Sequence, residues 1–142
     1  MRNLEAANTW LKRAKSNMAR AKAGRVSSEI LYEDLCFDAQ QAVEKALKSL
    51  CVIHEIVFPK THDIAYLIEL LEEKNVTVPE EGQNAKILTG YAVATRYPGD
   101  YEPVDEDDYF KAIEIAEKVL RWVKQEMGKE QVSPDPQRSL FE

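Results

Sequence analysis

Apolar residues recur every three or four positions along most of the chain, and the longest such run crosses residues 35–53. There Leu35, Ala39, Ala42, Val43, Ala46, Leu47, Leu50 and Ile53 fall on one helical face, with Gln41, Glu44, Lys45 and Lys48 opposite. Three alanines in the buried stripe leave little bulk, so neighbouring helices are expected to approach closely there. Phe37 falls among Gln41, Glu44 and Lys48. An aromatic at that position has two readings: a second buried surface such as a subunit contact, or a single exposed ring.

The same periodicity predicts a first helix over residues 3–23, with Trp10, Leu11, Ala14, Met18 and Ala21 inward and Gly24 as its stop. Ser27 or Ser28 is placed to cap helix two, which runs to about residue 54. Pro59 breaks the chain, and Thr61 is placed to cap helix three over residues 62–74, with Ile64, Leu67, Ile68 and Leu71 inward. Pro79 suits the first position of a fourth helix carrying Ile87, Leu88, Tyr91 and Thr95 to about residue 96, although Gly82 weakens its start. Pro98 stops that helix, and Tyr97-Pro98-Gly99-Asp100 has the makings of a type II turn. Asp105 caps a fifth helix, with Asp108 three residues on and Val104 and Tyr109 spaced as a staple. Tyr109, Ile113, Ala116, Leu120, Val123 and Met127 face inward, and Gly128 is its expected end. No strand pattern or internal repeat competes. The expected fold is all-α: an up-and-down antiparallel bundle of four to five helices over residues 1–128, then a disordered polar tail over 129–142.

A chain of 142 residues suits one domain with a real core. No apolar run approaches the roughly 20 residues that span a bilayer, and no apolar segment opens the chain as a secretory signal would. A cytoplasmic location without a membrane partner is the expectation. Cys36 and Cys51 share helix two at a separation of roughly 22 Å along its axis, too far to bridge each other. No His or Cys clusters with them, so buried thiols are expected, with no metal and no cofactor.

The net charge of −6 is unevenly placed. Residues 1–25 hold seven basic groups (Arg2, Lys12, Arg13, Lys15, Arg20, Lys22 and Arg25) against Glu5 alone, so the remainder carries −12. A basic first helix on an acidic body suits a polyanion or a negatively charged partner, or is simply a solvated face.

Alternating helix directions bring the end of helix two, the start of three, the end of four and the start of five to one pole. That pole collects His54, Thr61, His62, Asp63, Arg96, Tyr97, Asp100, Tyr101 and the acids at 105–108, including both histidines of the chain. Local roles are available for each: Arg96 suits a helix C-terminus and the acids suit a helix start.

Three stretches of this sequence resemble the HEPN family (higher eukaryotes and prokaryotes nucleotide-binding domain). They are Cys36-Phe37-Asp38-Ala39-Gln40-Gln41-Ala42-Val43-Glu44-Lys45-Ala46-Leu47-Lys48, then Thr61-His62-Asp63-Ile64, then Arg96-Tyr97-Pro98-Gly99-Asp100. The resemblance covers roughly residues 3–127 and implies a bundle of four or five helices that usually dimerises. It also implies a minimal nucleotidyltransferase as partner, often in a toxin–antitoxin pair. Active members are metal-independent ribonucleases whose motif is an arginine, a polar residue and a histidine a few residues beyond the arginine. Arg96 matches the arginine, but no histidine follows His62 anywhere in the chain. The implied site for nucleotide or RNA is Arg96, Tyr97, Asp100, Tyr101 and His62. The leading reading is a non-catalytic or weakly catalytic homodimer working with a nucleotidyltransferase. An RNA endonuclease using Arg96 with His62 or Tyr101 for proton transfer is the second, and a protein-interaction scaffold the third. In the tail, Gln137-Arg138-Ser139-Leu140-Phe141 looks like the short peptide that docks on bacterial sliding clamps.

Overall fold

The computed structural model describes residues 3–94 and 103–131, and every regular element among them is helical. In chain order these are α1 (Leu4–Ala23), α2 (Tyr32–Ile53), α3 (Ile64–Glu73), α4 (Glu80–Asn84), a 3-10 turn (Ala85–Leu88), α5 (Thr89–Ala94) and α6 (Glu106–Gln131). None of the described helices is long and apolar enough to cross a membrane.

The alanine-lined helix is the spine, with α1 and α6 packed along it. Ala39, Ala42 and Ala46 are fully buried, and Ala7, Ala14 and Ala21 answer them from α1 at seven-residue spacing. The two helices run antiparallel. Ser49 Oγ near the end of α2 donates to the Ala7 carbonyl at 2.8 Å, and Asn17 meets Asp38 at 3.0 Å near the other end. The last helix then locks both, since the Tyr109 hydroxyl donates to the Ala21 carbonyl at 2.6 Å and Met127 Sδ lies against Ser49.

These contacts make α6 antiparallel to α1 and parallel to α2, whereas strict alternation of five helices would leave the last antiparallel to α2. The cause is an extra traverse. Beyond α2 the chain turns sharply at Glu55, whose φ is +60°, with Ile56 N–H donating to the Cys51 carbonyl. It then returns along α2 without forming a helix. Phe58 packs edge-on against Trp10, and the His62 carbonyl accepts from Gln40 at 3.2 Å.

Local chemistry shifts several boundaries. Helix two begins at Tyr32 rather than at the serines. Arg25 holds the Ser28 and Ile30 carbonyls at 2.6 Å each, while the Ser27 hydroxyl closes its own turn on Glu29 N–H. Thr61 likewise accepts from Asp63 N–H, and Asp63 becomes the cap of α3 by accepting from Ala65 and Tyr66. The predicted fourth helix is broken into α4, the 3-10 turn and α5. Asp105 and Asp108 exchange reciprocal side-chain to backbone hydrogen bonds at 2.8 and 3.2 Å, the expected capping box of the last helix. That helix runs through Gly128 to Gln131 rather than stopping, so the first residues of the expected tail are helical. A single glycine costs only about 1 kcal/mol in a helix interior, and the Glu126–Lys129 ion pair spans it at 3.0 Å.

Gly82 is buried in α4, where a Cβ would lie 2.5 Å from Val78 Cγ1 with Trp122 behind it. Gly82→Ala is therefore expected to lower the melting temperature. The overpacking cost, about 1–3 kcal/mol, exceeds the helix-propensity gain of about 1 kcal/mol. A differential scanning melt in which the variant is more stable contradicts this packing.

Both cysteines are buried free thiols, and Phe37 is half-buried. Burial pushes the thiols of Cys36 and Cys51 up to about 12, with Asp108 and Glu33 adding to the effect at Cys36. Because these acids ionise later in the folded state than in the unfolded one, their contribution to stability is complete below pH about 8.5. It is lost as pH rises toward 12. Iodoacetamide at pH 8 should label neither thiol until urea unfolds the chain; labelling of the folded protein contradicts the burial.

Candidate functional site

One ridge of α2 carries the chemistry: Tyr32, Cys36, Gln40, Glu44 and Lys48, each four residues from the last. The apolar stripe beside it predicts a solvent-facing role for Glu44 and Lys48. Instead Glu44 is 2% exposed, Lys48 6%, and the adjoining Gln40 and Gln41 0% and 9%. The returning segment at 54–63 and the first helix cover this ridge, which sequence periodicity does not reveal.

Glu44 is the centre. Its carboxylate accepts from Lys48 Nζ at 2.7 Å and from the side-chain amides of Gln40 and Gln41 at 3.1 Å each. His62 Nδ1 lies 3.0 and 3.2 Å from its two oxygens. A buried carboxylate without this company would carry a large desolvation penalty; here four donor side chains offset it. The Lys48 ammonium also faces the rings of Trp10 and Phe58, at 5.3 and 5.8 Å from their centroids. Gln40 completes the clamp, since its amide nitrogen reaches the His62 carbonyl as well as Glu44, and its own oxygen accepts from Gln41 at 2.7 Å.

The result is a histidine fixed at two points, by its backbone carbonyl and by its ring. A carboxylate that already receives an ammonium can only accept, so Nδ1 donates to it, and in the neutral ring that leaves Nε2 as the nitrogen without the proton. Half of the His62 side chain remains exposed. That geometry presents a ring of set orientation to anything bound beside it.

The site residues expected from sequence divide as follows. Thr61, His62 and Asp63 lie together at the start of α3, and Ile64 N–H donates to Thr89 Oγ1 at the start of α5. The acids 105–108 begin α6 beside the start of α2, where the Tyr32 hydroxyl donates to Glu106 and Val104 N–H to Glu33, both at 3.0 Å. His54 belongs to neither group. It caps the other end of α2, roughly 30 Å away by helix rise, and its buried Nε2 has no hydrogen-bond partner among the described residues. The parallel course of α2 and α6 separates it from the acids. Arg96, Tyr97, Asp100 and Tyr101 lie outside the described residues, as does the stretch 137–141. On the described side of that gap, Tyr91 hydrogen-bonds Cys36, and its hydroxyl is pushed up to about 12, first by burial and then by Cys36 and Asp108.

Gln40, Gln41, Glu44 and Lys48 are the residues that sequence reasoning placed wrongly or passed over. The available signal was their spacing, polar groups every four residues beside a stripe already rich in alanine. Among the described residues no group of three or more His, Cys, Asp or Glu is placed to hold a metal ion.

Comparison with known proteins agrees with this architecture. The chain is similar over most of its length to the crystal structure of TT1696 from Thermus thermophilus. Identity is 33% and the TM-score 0.72, covering 84% of this chain and 96% of that one. It is also similar to ST0689, an archaeal HEPN homologue, at 29% identity and a TM-score of 0.64, over 89% of this chain and 99% of that one. No curated protein matches it. The HEPN domain matches residues 7–126. The chain therefore belongs to the HEPN domain family.

Proposed function

We propose that this chain is a homodimeric HEPN module that acts with a minimal nucleotidyltransferase partner, in a regulatory or toxin–antitoxin pair. It binds nucleotide or RNA through Arg96, Tyr97, Asp100, Tyr101 and His62. The observation that carries the site is the Glu44 clamp, which orients His62 beside α2 while leaving half of it exposed. Family membership supports the dimer and the partner. The site is tested by titrating the purified chain with ATP, GTP, CTP, UTP and a single-stranded RNA. Saturable binding that Arg96→Ala abolishes is expected. Light scattering should give twice the 16.2 kDa chain mass, and tagged protein from the native host should retain a nucleotidyltransferase. A monomer that binds none of the five probes contradicts the proposal.

The Glu44–His62 pair also favours a second reading, a metal-independent RNA endonuclease. In it Arg96 stabilises the charge that develops on the phosphate, and His62 Nε2 takes the proton from the attacking ribose hydroxyl as the phosphorus–oxygen bond to the next nucleotide breaks and that oxygen leaves with a proton from water. Tyr101 is the alternative proton carrier. Cleavage of RNA in the presence of a chelator, lost in both Arg96→Ala and His62→Ala, supports this reading. Cleavage that survives Arg96→Ala removes it.

A further inference from the structure

The exposed face of α1 presents Lys12, Arg13, Lys15, Arg20 and Lys22 with only Ser16, Ala19 and Ala23 between them. Little on the described surface neutralises this set. Asp38, the acid nearest Arg20 at 3.6 Å, is buried and already accepts from Asn17. Lys22 has Glu117 at 3.4 Å, whereas Lys12, Arg13 and Lys15 make no ion pair or hydrogen bond with any described residue. From α2, Lys45 joins the same patch by donating to Asn17 at 2.7 Å. Its ammonium is held below the ordinary lysine range by burial, with Glu44 and Asp38 opposing that shift and Arg13 and Arg20 adding to it.

We propose that this face of α1 is a track for the phosphate backbone of single-stranded RNA, separate from the residues around His62. The proposal rests on the reading that the chain binds RNA. Its physical basis is the kind of partner the face can hold. A protein partner is usually anchored by Trp, Tyr or Arg side chains seated in a desolvated pocket; between Lys12 and Ala23 the exposed positions offer no aromatic or large apolar side chain, and Arg13 and Arg20 stand on an open face. A polyanion needs only closely spaced cations and freedom of approach, and the small side chains at 16, 19 and 23 give that approach. Such binding releases counterions, so its affinity falls steeply with salt.

The test is fluorescence anisotropy of a labelled mixed-sequence RNA 20-mer at several KCl concentrations in EDTA. Four full-length proteins are compared: wild type, Lys12→Glu/Arg13→Glu/Lys15→Glu, Lys86→Glu/Lys111→Glu/Lys118→Glu, and Arg96→Ala. The second triple variant makes the same change in net charge away from α1, and circular dichroism with a thermal melt checks that each variant is folded. The α1 variant should lose at least tenfold in affinity at 100 mM salt, and its log–log salt slope should be shallower by about 2, or about 0.7 per phosphate contact. The control triple variant should change affinity less than threefold. Equal losses in the two triple variants overturn the proposal, as does an α1 variant that binds like wild type. Binding that is lost with the α1 variant but unchanged in Arg96→Ala keeps the track and removes the Arg96 site. The reverse pattern keeps the site and removes the track, and a wild-type chain that binds no RNA removes both.

Discussion

Glu44→Ala is expected to lower the unfolding free energy by about 3–5 kcal/mol, the usual cost of removing one partner from a buried ion pair. The size follows from what is left behind. Lys48 remains 6% exposed beneath Trp10 and Phe58 with its ammonium unpaired, and Gln40 and Gln41 lose the acceptor they share. His62 loses its ring partner while its carbonyl stays tied to Gln40. Urea unfolding followed by circular dichroism measures the loss. The double variant Glu44→Leu/Lys48→Met should recover part of it, because two apolar side chains replace two buried charges. A cost below about 1 kcal/mol for Glu44→Ala would mean that water reaches the carboxylate, since solvent-exposed pairs contribute no more than that.

Leu47→Ala should cost a similar amount, about 3–5 kcal/mol, by a different route. Leu47 is fully buried on the core face of α2, next in sequence to Ala46 and one turn from Val43 and Leu50, themselves fully buried. Val43 and Leu50 are themselves fully buried and fixed to the same helix, so they relax only partly into the space. The vacated volume therefore persists as a cavity, and the penalty falls at the upper end of the range for such truncations. Leu47→Met, which nearly conserves volume, should cost less than about 1.5 kcal/mol. Equal costs for the two variants in the same urea titration would contradict a closely packed spine.

Leu47 and Glu44 fall on opposite sides of what sequence makes legible. Leu47 belongs to a three- and four-residue apolar rhythm that identifies both the helix and its buried face, because that rhythm is the imprint of the core. The Asp105–Asp108 box is equally legible, since a cap is a local bond between residues three apart. Glu44 is not. Periodicity assigns polar residues to solvent, and only the return of residues 54–63 over the ridge makes it a buried site. That return has neither helical nor strand rhythm, so nothing in the pattern announces it. The same segment carries the extra traverse that leaves α6 parallel to α2 and His54 apart from the acids. Thr61 and Ser27 show a smaller version of the problem. Both are good caps by type, and each instead closes a turn on the residue two positions ahead, Asp63 and Glu29, before the helix begins. The arginine signature is recognisable from sequence, but its geometry falls outside the described residues.

A sunken carboxylate that fixes one imidazole for use in a nucleotide or RNA site should leave its mark on the ring nitrogens. Nitrogen-15 NMR of the His62 ring reads that mark, with spectra recorded at pH 8 before and after adding the single-stranded RNA. A proton on Nδ1 is expected in the free protein. The ring shifts should move on RNA addition in wild type and stay still in Arg96→Ala. A ring that exchanges freely between both tautomers, or resonances that RNA leaves in place, would refute the role given to Glu44 and His62.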